Sequence, residues 1–244
     1  MVLSLFNPDK TYLPSQKIDD YTIVQKIGEG RYGICYQVSN HSNQYILKQL
    51  KRGMLKKAGE KASFEEQTLM KLQHEGLPCF IKKIVLKNFY GYVLEYKPGR
   101  TLEDIIYLDH HRFEKAEIYQ IAVQLIDIIK YLHSQGIVHR DIRIPNILYE
   151  DAKIYLIDFG LARFVNNKKY KEDIDFAFLG DLILHLYYSA FDSPKAKSRP
   201  WYEELSLAPK ELMFLKKLMG IEERYNSISA LQNDFLEAFR TFDS

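Results

Sequence analysis

The sequence predicts an α+β fold of two lobes: a small antiparallel β-sheet with one main helix, then a mostly helical part. Three observations carry this. Between Tyr21 and Tyr96, short segments rich in β-branched and aromatic residues alternate with Gly and Asn/Ser turns, the pattern of strands in a meander. After the break at Lys97-Pro-Gly99, apolar residues recur at helical spacing instead. The composition, 46% hydrophobic and 27% charged over 244 residues, is that of a folded chain long enough for one large core or two small ones. Residues 1–244 are therefore expected to form a single domain, with a first lobe over 1–96 that includes an extension at 1–20, and a second lobe over 97–244.

The elements follow in order. YTIVQKIG, YGICYQVSN and NQYILKQL supply three strands, and the stretch from Ile81 to Tyr96 supplies two more. Between them, Ser63-Phe-Glu-Glu66 resembles a capping box, and Phe64, Leu69 and Leu72 give partial apolar spacing for one helix crossing the sheet. Thr101-Leu-Glu-Asp104 opens the helical part with a second capping signature. Ile118, Ile121, Leu125, Ile128, Ile129 and Leu132 then mark the buried face of an amphipathic helix. NILYE and KIYLI return to strand, joined as a hairpin through Asp151. FAFLGDLILHLYYSAF is apolar nearly all round, as a helix surrounded by protein is. There is no internal repeat and no low-complexity tract.

Composition also narrows the partners. A formal net charge of +2 creates no whole-protein basic field, hence no nucleic-acid footprint. The basic runs Lys56-Lys57 and Lys168-Lys169-Tyr-Lys171 read as solvated loops. Cys35 and Cys79 lack metal-ligand spacing and lie in apolar surroundings, so they are expected to be reduced, buried small hydrophobes. The apolar run in MVLSLFNPDK is shorter than a signal-peptide core, and no stretch approaches the roughly 18 apolar residues of a membrane span. A cytoplasmic protein is expected.

Three stretches carry chemistry. Gly28-Glu-Gly30-Arg-Tyr-Gly33 lies between two strands, where glycines let the backbone approach a phosphate and point amides at it. It precedes a strand rather than a helix, which argues against a dinucleotide-binding motif. Lys48 sits in the apolar strand Tyr45-Ile-Leu-Lys and needs an anionic partner, for which Glu65 and Glu66 are the nearest candidates. Finally, His139-Arg-Asp-Ile-Arg-Ile-Pro-Asn146 is followed by Asp158-Phe-Gly160. Phosphoryl transfer needs ligands for metal ions, a base near the acceptor hydroxyl and cations around the moving group, and these are those residue types.

Taken in order, the motifs resemble the eukaryotic-type (Hanks-type) protein kinase family, with a match from about Tyr21 to Phe239. The resemblance implies a bilobal kinase fold with ATP and Mg²⁺ as cofactors. It places Ile27 beside the nucleotide, Gly28, Gly30 and Gly33 over its phosphates, and Cys35 over the adenine. Lys48 would hold the α- and β-phosphates with Glu65 as its helix partner, leaving Glu66 as the capping residue. Leu94 would be the gatekeeper, with Glu95, Tyr96 and Lys97 the hinge, whose backbone reads adenine. Asp141 would accept the proton of the acceptor hydroxyl, Arg143 would stand beside the γ-phosphate, and Asn146 and Asp158 would hold Mg²⁺. Asp175 would fix the backbone of the loop that carries Asp141. Lys210 to Arg224 and Ser227 to Phe239 resemble the last two family helices.

Two departures stand out. Only fourteen residues separate Gly160 from Asp175, and they contain no Ala-Pro-Glu, the end of the family's peptide platform. Arg224 then lacks its usual glutamate and is expected to be either exposed or paired with Glu172 or Asp173. Tyr170 is the only hydroxyl-bearing residue from Leu161 to Ile174, so Arg140 has no Ser/Thr phosphosite to answer. The expectation is constitutive assembly with Glu172 or Asp173 as a permanent anion. The implied function is a compact, bacterial-like Ser/Thr kinase that phosphorylates a protein substrate. A kinase-like small-molecule phosphotransferase and a nucleotide-binding pseudokinase scaffold are the alternatives.

Overall fold

The computed structural model describes residues 10–30, 33–51, 53, 64–166, 169–191 and 199–239. The chain divides into two compact units, residues 1–73 with 78–96 and residues 74–77 with 97–244. Lys56-Lys57, Ser63 and Lys168, each assigned a role from sequence, lie outside the described residues.

In the first unit, β1 (Lys17–Ile18), β2 (Tyr21–Glu29), β3 (Gly33–Asn40), β4 (Asn43–Leu50), β5 (Phe80–Leu86) and β6 (Phe89–Glu95) form one antiparallel sheet in the order β1-β2-β3-β4-β6-β5. Side chains alternate across a strand, so one face collects Ile34, Tyr36, Val38, Leu47 and Val93 into the core. Cys35, Lys48 and Tyr92 stand opposite one another in register, in a row on the other face. The strands run so close that a Cβ on Gly91 would lie 2.4 Å from the Lys48 carbonyl oxygen. Residues 10–18, which no motif singled out, cover the core face. There Tyr12 packs edge-on against Tyr36 and Phe89. A relay ties it down: Tyr12 N donates to Tyr36 Oη (3.2 Å), Tyr36 Oη to Gln49 Oε1 (3.2 Å), and Gln49 Nε2 to the Lys10 carbonyl (3.1 Å).

Helix α1 (Phe64–Leu69) buries both Glu65 and Glu66. Glu66 is not a cap. It accepts from Tyr90 Oη (3.1 Å) and pairs with Lys83 Nζ (3.0 Å), because a buried carboxylate must find donors and the sheet supplies them. Cys79 also departs from expectation, since it is exposed. Its backbone, bonded to the backbone and carboxylate of Glu95, is what holds it in place.

The second unit contains α2 (Leu102–Tyr107), α3 (Lys115–Ser134), α4 (Asp173–Ser189), α5 (Trp201–Glu204), α6 (Pro209–Leu218) and α7 (Ile228–Ala238). The Thr101 side chain accepts from Asp104 N (3.0 Å) and starts α2. Every residue of the apolar stripe from Ile118 to Leu132 named above is buried on α3. β9 (Ile147–Glu150) and β10 (Lys153–Leu156) form a hairpin whose turn residues Asp151 and Ala152 both have positive φ, +48° and +62°, as a two-residue turn matching strand twist requires. Helix α6 stops at Leu218 rather than running toward Arg224, because Gly220 takes a left-handed conformation (φ +69°) that ends it. Ser227 then accepts from Ala230 N (3.2 Å) to start α7. Tyr119 and Phe235 stack at 5.4 Å to lock α3 to α7. Three two-residue strands, β7 (Arg100–Thr101), β8 (Ile137–Val138) and β11 (Arg163–Phe164), complete the unit. Among the described residues no helix is long and apolar enough to cross a membrane.

Candidate functional site

In the first unit, Lys48 Nζ lies 2.6 and 2.8 Å from the two Glu65 carboxylate oxygens. Both residues are buried, so each charge compensates the desolvation of the other. The register that puts Lys48 between Cys35 and Tyr92 aims it away from the apolar core. Burial, and secondarily the Glu65 charge, push the Tyr92 phenol well above its ordinary pKa and keep it neutral.

The glycine loop is described except for Arg31 and Tyr32. A Cβ on Gly28 or Gly30 would meet nothing within 4 Å among the described residues, which leaves room for a ligand against the backbone. Gly33 differs. Its Cβ would fall 2.4 Å from the Gln49 carbonyl oxygen, so strand packing alone demands glycine there. Ile27 is exposed, Leu94 is buried, and Cys35, Glu95 and Tyr96 are half-buried.

In the second unit, the loop between β8 and β9 carries Asp141. Arg140 adopts a left-handed backbone (φ +68°), uncommon for a side-chain-bearing residue and sustained only where the surroundings fix it. Here Asp175 fixes it. Its carboxylate, fully buried on α4, accepts from His139 N (2.9 Å), Arg140 N (2.7 Å) and His133 Nε2 (3.0 Å). Asp141 is oriented in turn from both sides. Arg143 Nε donates to its Oδ1 (2.5 Å), and Asn146 Nδ2 donates to its Oδ2 and its carbonyl, each at 2.9 Å.

Asp158 follows β10 with φ +61° and accepts from Gly160 N (3.2 Å), which closes the Asp-Phe-Gly turn. Phe159 is buried and meets the His139 ring edge-on at 4.7 Å. Burial pushes the His139 pKa down against the pull of Asp175, Asp158 and Asp141, so the ring is neutral at pH 7.

The Arg140 side chain goes elsewhere than expected. Its Nη1 donates to the Leu161 carbonyl (2.9 Å), and its guanidinium lies over the Tyr170 ring, 4.6 Å from the centroid. Glu172 instead approaches His133 Nδ1 at 3.7 Å, and Asp173 approaches Arg224 at 3.8 Å. Glu172 thus lies beside an imidazole and Asp173 beside the Arg224 guanidinium. Arg224 is exposed. With Ile174, Ala177, Phe178, Asp173 and Asp181 it lines an open pocket of about 340 Å³ on α4.

Among the described residues no three His, Cys, Asp or Glu side chains cluster into a metal cage. Asn146, with its Nδ2 committed to Asp141, offers an amide oxygen, and Asp158 offers a carboxylate. Two oxygen ligands suit a hard cation such as Mg²⁺ whose remaining ligands are phosphate and water.

The family of the protein kinase domain matches residues 21–181. A Bacillus subtilis protein named probable serine/threonine-protein kinase YbdM is 34% identical over 230 residues, covering 91% of this chain and 90% of that one. The chain belongs to the protein kinase family. It is thus a phosphotransferase with the family's α+β, two-lobed fold, in a family that uses ATP and Mg²⁺. A fowlpox virus protein named probable serine/threonine-protein kinase FPV212 is 31% identical over 193 residues, 70% of this chain and 62% of that one. Human mitogen-activated protein kinase 13 is 32% identical over 152 residues, 59% of this chain and 41% of that one.

Within this kinase, the sequence left unread His133, the third donor to Asp175, and Tyr90, the donor to Glu66. Neither lies in a motif, and only the fold brings them to their acids. Tyr170 stands out in the sequence as a lone hydroxyl, which gives no sign that its ring face would receive Arg140.

Proposed function

We propose that this kinase transfers the γ-phosphate of ATP to a serine or threonine hydroxyl of a protein substrate, with Asp141 as the base. The observation that carries this is the double orientation of Asp141 by Arg143 and Asn146 on a loop anchored by Asp175. A carboxylate so fixed is ready to accept the proton of an acceptor hydroxyl without first losing side-chain freedom. Arg143 brings a cation next to the base, where negative charge moves during transfer. Lys48, steadied by Glu65, is assigned to the α- and β-phosphates, and the open backbone of Gly28 and Gly30 to covering them. Ile27, Gly33 and Cys35 would border the nucleotide, and the backbone of Glu95 and Tyr96 would read adenine. Asn146 and Asp158 would hold Mg²⁺, which supplies neutralisation of phosphate charge when bound.

Serine/threonine specificity is supported by the names of the Bacillus and fowlpox relatives. A cytoplasmic location is part of this proposal. The lack of a Ser/Thr phosphosite from Leu161 to Ile174 supports activity without a phosphoswitch of that kind.

The short link from Gly160 to Asp175 favours one competing reading, a small-molecule acceptor, since such an acceptor needs no peptide platform. Both are tested by incubating the protein with labelled ATP, Mg²⁺ and a cell extract, then identifying the products by mass spectrometry. Phosphoserine and phosphothreonine on proteins, lost with Asp141→Ala, are expected. Label confined to small molecules would overturn the protein-substrate reading.

A further inference from the structure

We infer that the aromatic ring of Tyr170 is a positioning residue: it holds Arg140, and through it the Asp141 loop and the Asp158 turn, with no phosphate on the segment. The inference rests on the phosphotransfer reading above and concerns how that site is kept assembled.

Three contacts converge on Arg140, which is peptide-bonded to Asp141. Its amide is held by Asp175 at 2.7 Å, its Nη1 by the Leu161 carbonyl at 2.9 Å, and its guanidinium by the Tyr170 ring face at 4.6 Å, while its carbonyl leads directly into Asp141. Leu161 closes the turn that begins at Asp158. Arg140 thus joins the base-bearing loop to the metal-ligand turn, and Tyr170 covers the face of the planar group that makes the join.

Tyr170 is itself fixed. Asn166 Oδ1 accepts from Lys169 N (2.7 Å) and Tyr170 N (3.1 Å), and Asn166 N donates to the Tyr170 carbonyl (2.8 Å). Upstream, β11 pairs with β8, and Val165 N donates to the Gly136 carbonyl (2.8 Å), so the segment is stitched to the strand that feeds the Asp141 loop.

The ring sits among cations, with Lys169 Nζ 5.3 Å from its centroid as well. Desolvation alone would raise the phenol pKa, yet the charges of Lys169, Arg140 and Arg163 outweigh it and bring it below the ordinary value. A π face attracts a cation without being ionised, so the arginine is satisfied by an unmodified side chain. Neither Glu172 nor Asp173 supplies that partner, since Glu172 lies beside the His133 imidazole and Asp173 beside Arg224.

The test compares steady-state kinetics of wild type, Tyr170→Phe and Tyr170→Leu on a general protein substrate, with thermal melts as a control for folding. A half-exposed cation–π contact implies about a 3- to 5-fold loss of kcat in Tyr170→Leu. KM for ATP should stay within about twofold, and the melting temperature should hold, because ring loss touches alignment more than binding or folding. Tyr170→Phe keeps the ring and should restore kcat to within about twofold of wild type. With Arg140→Met as background, adding Tyr170→Leu should change nothing further.

Phenylalanine as damaging as leucine would show that the hydroxyl or its phosphate matters, and would overturn the inference. Unchanged kcat in Tyr170→Leu, or activity of the wild type abolished by phosphatase treatment, would do the same. A wild type that transfers no phosphate at all would bring down the phosphotransfer reading and the inference with it; the other adverse outcomes strike the inference alone.

Discussion

Glu65 and Asp175 are both buried carboxylates, but Glu65 receives one flexible ammonium, from Lys48, whereas Asp175 receives two backbone amides and an imidazole. The Lys48–Glu65 pair joins two long side chains across elements, so rotating either away regains rotamer entropy but leaves a buried charge uncompensated. Asp175 holds backbone, including a residue in a left-handed conformation that the chain would not choose unaided. Charge in the first unit thus pairs side chain with side chain, whereas charge in the second fixes backbone. That difference suits a lysine assigned to a ligand that comes and goes, and a base that must already be in place when it arrives.

The largest effect that would sharpen this contrast is on chemistry. Asp141→Asn should lower kcat by about 10³-fold, near 4 kcal/mol of barrier, with little change in melting temperature, in a phosphate-transfer assay. A loss below tenfold would break the assignment of Asp141 as the base. Next comes stability of the anchor. Asp175→Asn removes the charge from a fully buried acceptor of three hydrogen bonds and should cost about 3 to 4 kcal/mol, measured as a shift in the urea midpoint. Glu65→Gln leaves Lys48, which keeps 9% exposure where Asp175 has none, with a neutral acceptor, so it should cost only about 1 to 2 kcal/mol while still reducing kcat/KM for ATP. Equal stability losses in these two variants would erase the distinction between the carboxylates.

A smaller, pH-dependent effect belongs to the second unit. The His139 pKa is depressed by burial, so the unfolded chain binds a proton that the folded chain refuses. Stability from this group is complete above the ordinary histidine value of 6.5 and is lost as pH falls below it. Denaturation midpoints at pH 7 and 5.5 should therefore differ less in His139→Phe than in wild type. Smallest of all, Arg224→Ala should change stability by no more than about 0.5 kcal/mol, because its 3.8 Å approach to Asp173 is exposed.

Much of the frame was legible because its signals are periodic or local. The alternation in YGICYQVSN, the stripe from Ile118 to Leu132 and the cap at Thr101 each depend on near neighbours in the chain, and the structure follows them. The row of Cys35, Lys48 and Tyr92 required register, which a one-residue slip would have destroyed. What sequence misassigned was the destination of long polar side chains. Arg140 reaches an aromatic face rather than an acid, Glu66 reaches across to Tyr90 and Lys83 on the sheet, and Cys79 is exposed rather than buried. Such choices depend on which neighbours the fold delivers, and charge or hydropathy along the chain does not encode them. Two-residue strands such as β8 and β11 leave no period to detect, yet they stitch the Asp158 segment to the Asp141 loop.

The strap at residues 10–18 bears on how this enzyme should be handled in the laboratory. The family match begins at residue 21, which makes Tyr21 an inviting first residue for expression. Starting there would remove the Lys10 carbonyl and the Tyr12 ring and amide, stripping partners from Tyr36 on β3 and from Gln49, which follows Lys48 on β4. An expression clone that keeps everything from upstream of Lys10 preserves the alignment of that strand, and a trimmed one would give a low-activity preparation easily mistaken for an inactive kinase.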